Sequence, residues 1–220
     1  MDKTAEMETN EENTDKKYAA GLNAPRIGER LRALRADALA RRIPVIGEAS
    51  LQYLLVVLAA VRPRRILEIG TAVGLSAAAM LLACPEAHLT TVEIDEDRYT
   101  EAKANLAALG LSDRVTCHLG DAGEVLSMMD GKYDFVFLDG PKAQYGRYMS
   151  ELKRLLDRGG TVFADDVLLF GWVSGQTPAP AKHRLFVRKM RAYLAALSRD
   201  EDFSTVVVDV GGGVALSVRR

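Results

Sequence analysis

From residue 65 onward the chain alternates short β-like runs with helical ones. That alternation restricts the possible folds more than any other feature. Strands are predicted at Arg65–Ile69, Leu89–Glu93, Val115–Leu119, Tyr133–Leu138 and Thr161–Ala164. Helical spacing falls between them, at Ser76–Ala83, Glu96–Leu109, Ala122–Met128 and Gln144–Leu156. Such a rhythm builds a parallel sheet with helices on both faces. The end departs from it. After an amphipathic helix at Arg184–Leu197, strands at Ser204–Val208 and Val214–Val218 are joined by Val210-Gly211-Gly212-Gly213. That turn is too short for a helical crossover, so the last pair must be antiparallel. The expectation is an α/β fold with a seven-stranded, mostly parallel sheet and a C-terminal antiparallel hairpin.

Two helices precede the sheet. Ile27, Leu31, Leu34 and Ala38 recur at helical spacing within Ala24–Arg41, with arginines on the other face. A second apolar helix is expected from Glu48 to Val61, stopped by Pro63. Residues 1–20 read as a disordered acidic tail, because they offer little to bury. Residues 21–220 read as one domain with an N-terminal helical extension, a size suited to a single α/β core. No apolar run is long enough to cross a bilayer, and Met1–Lys17 lacks the apolar stretch of a secretory signal. Cys84 and Cys117 stand far apart, with no zinc spacing to the histidines. A cytoplasmic protein with reduced thiols is the expectation.

The cofactor signals lie where open α/β sheets bind ligands, past the carboxyl ends of the strands. Strand one runs into Glu68-Ile69-Gly70-Thr71-Ala72-Val73-Gly74. A dinucleotide fingerprint needs GxGxxG, and Ala72 and Leu75 occupy its middle and last glycine positions, so NAD fits poorly. An acid at Glu68 is ill suited to a pyrophosphate and well suited to the ammonium of S-adenosylmethionine. Glu93 ends strand two, where a carboxylate can accept ribose hydroxyls. Asp121 and Ala122 follow strand three, in place to bond an adenine amino group. For any one of these residues, a turn glycine or a helix cap is an equally good explanation. Their joint placement at successive strand ends favours the cofactor.

Asp139 closes strand four and Asp165-Asp166 closes strand five, so three carboxylates should meet at neighbouring strand ends. They would repel one another unless a cation sat among them. An all-oxygen set selects a hard ion such as Mg2+, which can lower the pKa of a bound hydroxyl. Lys142 lies just beyond Asp139, and a metal together with partial burial would lower its pKa and let it act as general base. A surface lysine paired with an aspartate is the plainer alternative.

These residues resemble the magnesium-dependent O-methyltransferases of the catechol and caffeoyl-CoA type, a Rossmann-like class I methyltransferase family. The loop Glu68 to Gly74, the pair Asp139 and Lys142, and the pair Asp165 and Asp166 carry the likeness. Asp166 stands where the family has Asn. The resemblance implies that Glu68, Gly70, Thr71, Gly74, Ser76, Glu93, Asp121, Ala122 and Asp139 surround S-adenosylmethionine. It implies that Asp139, Asp165 and Asp166 hold Mg2+, and that Lys142 and Asp139 are catalytic. A narrower likeness, to bacterial tRNA 5-hydroxyuridine methyltransferases, rests on Ile43-Pro44-Val45, Ile66 to Ala72, Asp139 to Tyr145, Asp166-Val167-Leu168, His183-Arg184 and Val210 to Ser217. It implies a homodimer acting on the tRNA anticodon stem-loop, with a small-molecule phenol as the alternative substrate. Charge distribution is compatible with RNA: net charge is −1, but nine arginines face three acids from Gly21 to Arg65, and Lys182–Arg191 holds five cationic residues and no acid. The basic segments Arg26–Arg42 and Lys182–Arg191 would meet phosphates, and Trp172, Phe170 or Tyr145 would stack on a base.

Overall fold

A computed structural model describes Tyr18 and residues 21–220. The tail expected over residues 1–20 lies outside the described residues, Tyr18 apart. Helices α1 (Glu29–Ala40) and α2 (Glu48–Val61) precede the sheet. The first was expected from Ala24 and begins later. Pro25 disfavours helix in the residue before it, and Gly28 caps α1 in an extended conformation. Ile27 is buried all the same, outside the helix.

Seven strands follow: β1 (Arg65–Ile69), β2 (His88–Glu93), β3 (Val115–Leu119), β4 (Tyr133–Leu138), β5 (Leu156–Ala164), β6 (Phe203–Val208) and β7 (Val214–Arg219). Their order in the sheet is β3-β2-β1-β4-β5-β7-β6. The first five strands run parallel, and β7 is antiparallel to both β5 and β6. Strand β5 starts earlier than the apolar run at Thr161 suggests. Its first residues include Asp157, Arg158 and two glycines, and the β4–β5 register shifts between Tyr133 and Phe135.

Helices α3 (Leu75–Ala83) and α4 (Glu96–Ala108) join α1 and α2 on one face, and α5 (Ala122–Met128), α6 (Tyr145–Leu155) and α7 (Arg184–Ser198) cover the other. Successive β4 side chains alternate between the two cores. Phe135 and Phe137 enter the first core, Val136 and Leu138 the second. Burial on both faces explains why the central strands read as unbroken apolar runs. Phe135 and Phe137 are fully buried, and truncating either to alanine should cost about 3–5 kcal/mol.

This topology brings the carboxyl ends of β1, β4 and β5 together where the strand order reverses. Tyr145, at the start of α6, ties two of them: its hydroxyl donates to Leu138 O at 2.8 Å and lies 3.3 Å from Asp165 O. Among the described residues, no helix is long and apolar enough to cross a membrane. Both cysteines are free, Cys84 buried and Cys117 partly so.

Candidate active site

The β1–α3 loop and the β4–α6 loop meet backbone to backbone. Gly70 has φ +97°, and a Cβ there would lie 2.7 Å from Gly140 Cα. The glycine requirement at residue 70 therefore comes from this loop–loop approach. Gly74 takes a left-handed conformation, φ +83°, to start α3.

Glu93 braces the loop from the next strand. Its Oε2 accepts the Ala72 N–H at 2.8 Å, and its Oε1 accepts from Ile94 N at 2.9 Å and Asp95 N at 3.0 Å. A carboxylate has about four acceptor sites, so three are committed to backbone. The two ribose hydroxyls expected there must share what remains.

Glu68 sits deeper than its motif suggests. It is wholly buried, Ser76 Oγ donates to its Oε1 at 2.5 Å, and Thr91 Oγ1 donates to its Oε2 at 2.6 Å. Thr71 Oγ1 bonds Thr91 Oγ1 at 2.5 Å. Burial outweighs these hydrogen bonds and pushes the carboxyl up to about 8. Glu68 thus stands one layer behind the site, and Ser76 and Thr71 present its influence at the surface.

That surface is a cleft of about 520 Å3, large enough for a small-molecule cofactor. Thr71, Ser76, Glu93, Asp139, Lys142 and Asp166 line it, and Ile43–Ile46 form part of its wall. Sequence reading singled out Ile43-Pro44-Val45 only as part of a family likeness and not as a wall of the site, because the segment between α1 and α2 has no periodic pattern. Asp121 and Ala122 are not among the residues that line this cleft. Asp121 caps α5, accepting from Glu124 N at 3.2 Å, and pairs with Arg147 at 3.5 Å.

At one end of the cleft Asp139, Asp165 and Asp166 each offer an oxygen within 4.8 Å of the others. Asp165 is the most enclosed, only 1% exposed. Burial, reinforced by the two neighbouring carboxylates, pushes it up to about 7. Burial raises the Asp139 carboxyl as well, against the opposing pull of Lys142. Asp166 adopts φ +57°, unusual for a residue with a Cβ. Lys142 Nζ is hydrogen-bonded to Asp139 Oδ1 and lies 3.6 Å from Asp166 Oδ2. Burial acts to lower the Lys142 pKa, but the carboxylates outweigh it and the net shift is upward. With only the acids beside it, Lys142 is held as an ammonium; the expected lowering is that of a metal together with partial burial.

The aromatic residues separate. Tyr145 is fully buried and cannot stack on a ligand, which corrects that expectation. Trp172 stacks on His183 with centroids 4.9 Å apart, and Phe170, 72% exposed, packs beside it at 5.1 Å. Arg184 and Arg188 border Trp172 in a shallow depression. In and just after α1, by contrast, two arginines serve the fold: Arg32 donates to Ile27 O, and Arg41 pairs with Glu101 and Asp37.

Comparison with known proteins agrees with this arrangement. Residues 23–220 match the O-methyltransferase family. The chain belongs to that family. It is 31% identical over 179 residues to caffeoyl-CoA O-methyltransferase 2 of Populus trichocarpa, spanning 76% of this chain and 72% of that protein. A Staphylococcus aureus structure, provisionally assigned as a caffeoyl-CoA O-methyltransferase, superposes with TM-score 0.85 at 28% identity, covering 94% of this chain and all of the other. The O-methyltransferase TomG of Streptomyces achromogenes, solved in complex with S-adenosylmethionine, gives TM-score 0.78 at 25% identity over 94% of this chain and 96% of that one. The sheet is the Rossmann-like sheet of these proteins, and the enzyme is an S-adenosylmethionine-dependent O-methyltransferase.

Proposed function

We propose that the enzyme methylates one oxygen of an acceptor that presents two adjacent oxygens, using a divalent cation held by Asp139, Asp165 and Asp166. The convergence of these carboxylates beside Lys142, at the end of the cleft, carries the reading. The fit to a cation is chemical. All three donors are hard oxygens, which suit Mg2+. Asp165 Oδ1 is buried and lacks a hydrogen-bond partner among the described residues, an unmet demand that a positive partner would satisfy. Such an ion lowers the pKa of a hydroxyl in contact with it.

The chain's own residues supply the rest. Lys142 Nζ is positioned to take the acceptor's hydroxyl proton, once the carboxylates that now favour its ammonium form have another cation to serve. Glu93 accepts from the donor's ribose, and Glu68, acting through Ser76 and Thr71, favours the donor's ammonium. Two loops locked at Gly70 and Gly140 fix donor and acceptor sites relative to each other. That fixed geometry is worth several kcal/mol in an in-line methyl transfer.

For the acceptor, the similarity to caffeoyl-CoA O-methyltransferases favours a catechol-like or caffeoyl-CoA-like phenol. A second reading, 5-hydroxyuridine at the tRNA wobble position, has one observation in its favour. The Trp172–His183 stack with exposed Phe170 and the Arg184–Arg188 rim combines base-stacking rings with phosphate-binding cations. Its 5-hydroxyl and neighbouring carbonyl would also present two oxygens. Incubation with labelled S-adenosylmethionine, Mg2+ and either a catechol or tRNA bearing 5-hydroxyuridine separates the two. Label in the catechol alone supports the first reading, and label in the tRNA alone the second. Full turnover after exhaustive chelation would refute the cation.

A further inference from the structure

The β6–β7 turn meets the acidic cluster through its middle glycine. In sequence Gly211, Gly212 and Gly213 are alike, and the fold separates their roles. Gly211 and Gly213 have φ +61° and +85°, so the turn itself asks for glycine at both. Gly212 is different. Its φ is not positive, and a φ of that sign is open to residues with a Cβ. What excludes a side chain there is Asp166. A Cβ on Gly212 would fall on Asp166 Oδ1, 3.0 Å from its Cγ and 3.2 Å from its Cα. The glycine requirement at residue 212 therefore comes from the site and not from the turn.

The turn also grips the backbone that carries Asp166. Gly213 O accepts from Val167 N, and Gly212 O accepts from Leu168 N and Leu169 N, each at 2.9 Å. Asp166 has φ +57° and Leu169 φ +32°. Residues with a Cβ persist in that sparsely populated region only where the surroundings hold them. Three hydrogen bonds from one turn supply the hold. The side chain is confined as well. Its Oδ1 lies against the Gly212 backbone, and its Oδ2 lies 3.6 Å from Lys142 Nζ, which belongs to a residue lining the cleft.

We infer that Gly212 is a positioning residue for the cation site: by lacking a side chain it lets the Asp166 carboxylate rest on the terminal hairpin, with its other oxygen beside Lys142 in the cluster. Neighbours of this kind orient ligating carboxylates, and their loss typically weakens metal affinity about 10–100-fold. Gly212 does not line the cleft, and it acts only through Asp166. The inference rests on the cation reading above.

Gly212→Ala, made in the full chain both alone and together with Asp166→Gly, tests it. Asp166→Gly removes the carboxylate and keeps φ +57° accessible. Mn2+ binding is followed by electron paramagnetic resonance with S-adenosylmethionine present, and donor binding and metal-free melting by calorimetry. Alone, Gly212→Ala should weaken Mn2+ binding by about tenfold and lower the metal-free melting temperature, with S-adenosylmethionine affinity unchanged. In the Asp166→Gly background Gly212→Ala should change Mn2+ affinity by less than about twofold and leave melting nearly unmoved, because the carboxylate that the new Cβ meets is gone. Wild-type Mn2+ affinity in Gly212→Ala overturns the inference. So do equal losses in the two backgrounds, which would place the role of Gly212 in the fold and not at Asp166. A single variant that does not fold supports the inference if the double variant folds, and overturns it if neither does. If the wild-type protein itself binds no Mn2+, the cation reading falls, and this inference falls with it.

Discussion

Glu68→Gln should change how stability depends on pH, and the size follows from the site. The Glu68 carboxyl is completely buried and raised from 4.5 to about 8, chiefly by burial. Its folded value lies above its unfolded one, so the unfolded chain releases the proton first. Stability is therefore highest below pH 4.5 as far as this group is concerned. It is lost as pH rises through the interval and levels off above about 8. At about 1.4 kcal/mol per unit, the interval amounts to about 5 kcal/mol. The effective dielectric around buried groups reduces this, and a loss of about 2–5 kcal/mol is expected. The glutamine variant does not titrate. Its mismatched amide adds a fixed offset of about 1–3 kcal/mol that does not vary with pH. The diagnostic is the slope. Urea unfolding of donor-free protein from pH 5 to 9 should show wild-type stability falling relative to the variant by at least about 2 kcal/mol. Parallel profiles for the two proteins would refute the reasoning, because they would mean that Glu68 is ionised without strain in the folded state.

Three further outcomes are expected. Asp165→Ala, or chelation of the wild-type enzyme, should lower turnover by roughly a hundredfold or more while calorimetry still detects S-adenosylmethionine binding. On the tRNA reading, replacing both Arg184 and Arg188 by Glu should weaken tRNA binding and lower its log-affinity slope against log salt by about one per arginine; unchanged tRNA binding would refute a role for this rim. Gly70→Ala should destabilise the protein by about 2 kcal/mol or more in thermal unfolding, since it adds a Cβ at φ +97° against the Gly140 backbone.

The sheet was legible because its physics is local. Phe135 to Leu138 are apolar on both faces, and Val210 to Gly213 are too few for a crossover, so strand direction followed from composition and length. The three aspartates were legible for the same reason, each standing just past a buried strand. The start of α1 was not, because hydrophobic spacing continues through Ile27 while Pro25 and Gly28 hold the backbone extended. For Asp121 the helix cap, one of the two explanations read from sequence, is seen in its hydrogen bond to Glu124 N, and capping does not compete with a second role for the same carboxylate. Tyr145 sits in a motif beside Lys142, yet packing turns its ring inward against Tyr193.

The same long-range packing sets the energetics of the site. Glu68 and Asp165 are both pushed up by burial, to about 8 and about 7, so the ligand-free fold holds two carboxyl groups where their charged forms are least welcome. A core chosen for stability alone would replace such groups with apolar residues. Their retention is accounted for if the missing charges arrive with the substrates, an ammonium and sulfonium near Glu68 and a divalent cation at Asp165. On that reading each ligand binds more tightly as pH rises through the titration of its acid, and each binding event recovers stability that the empty site lacks.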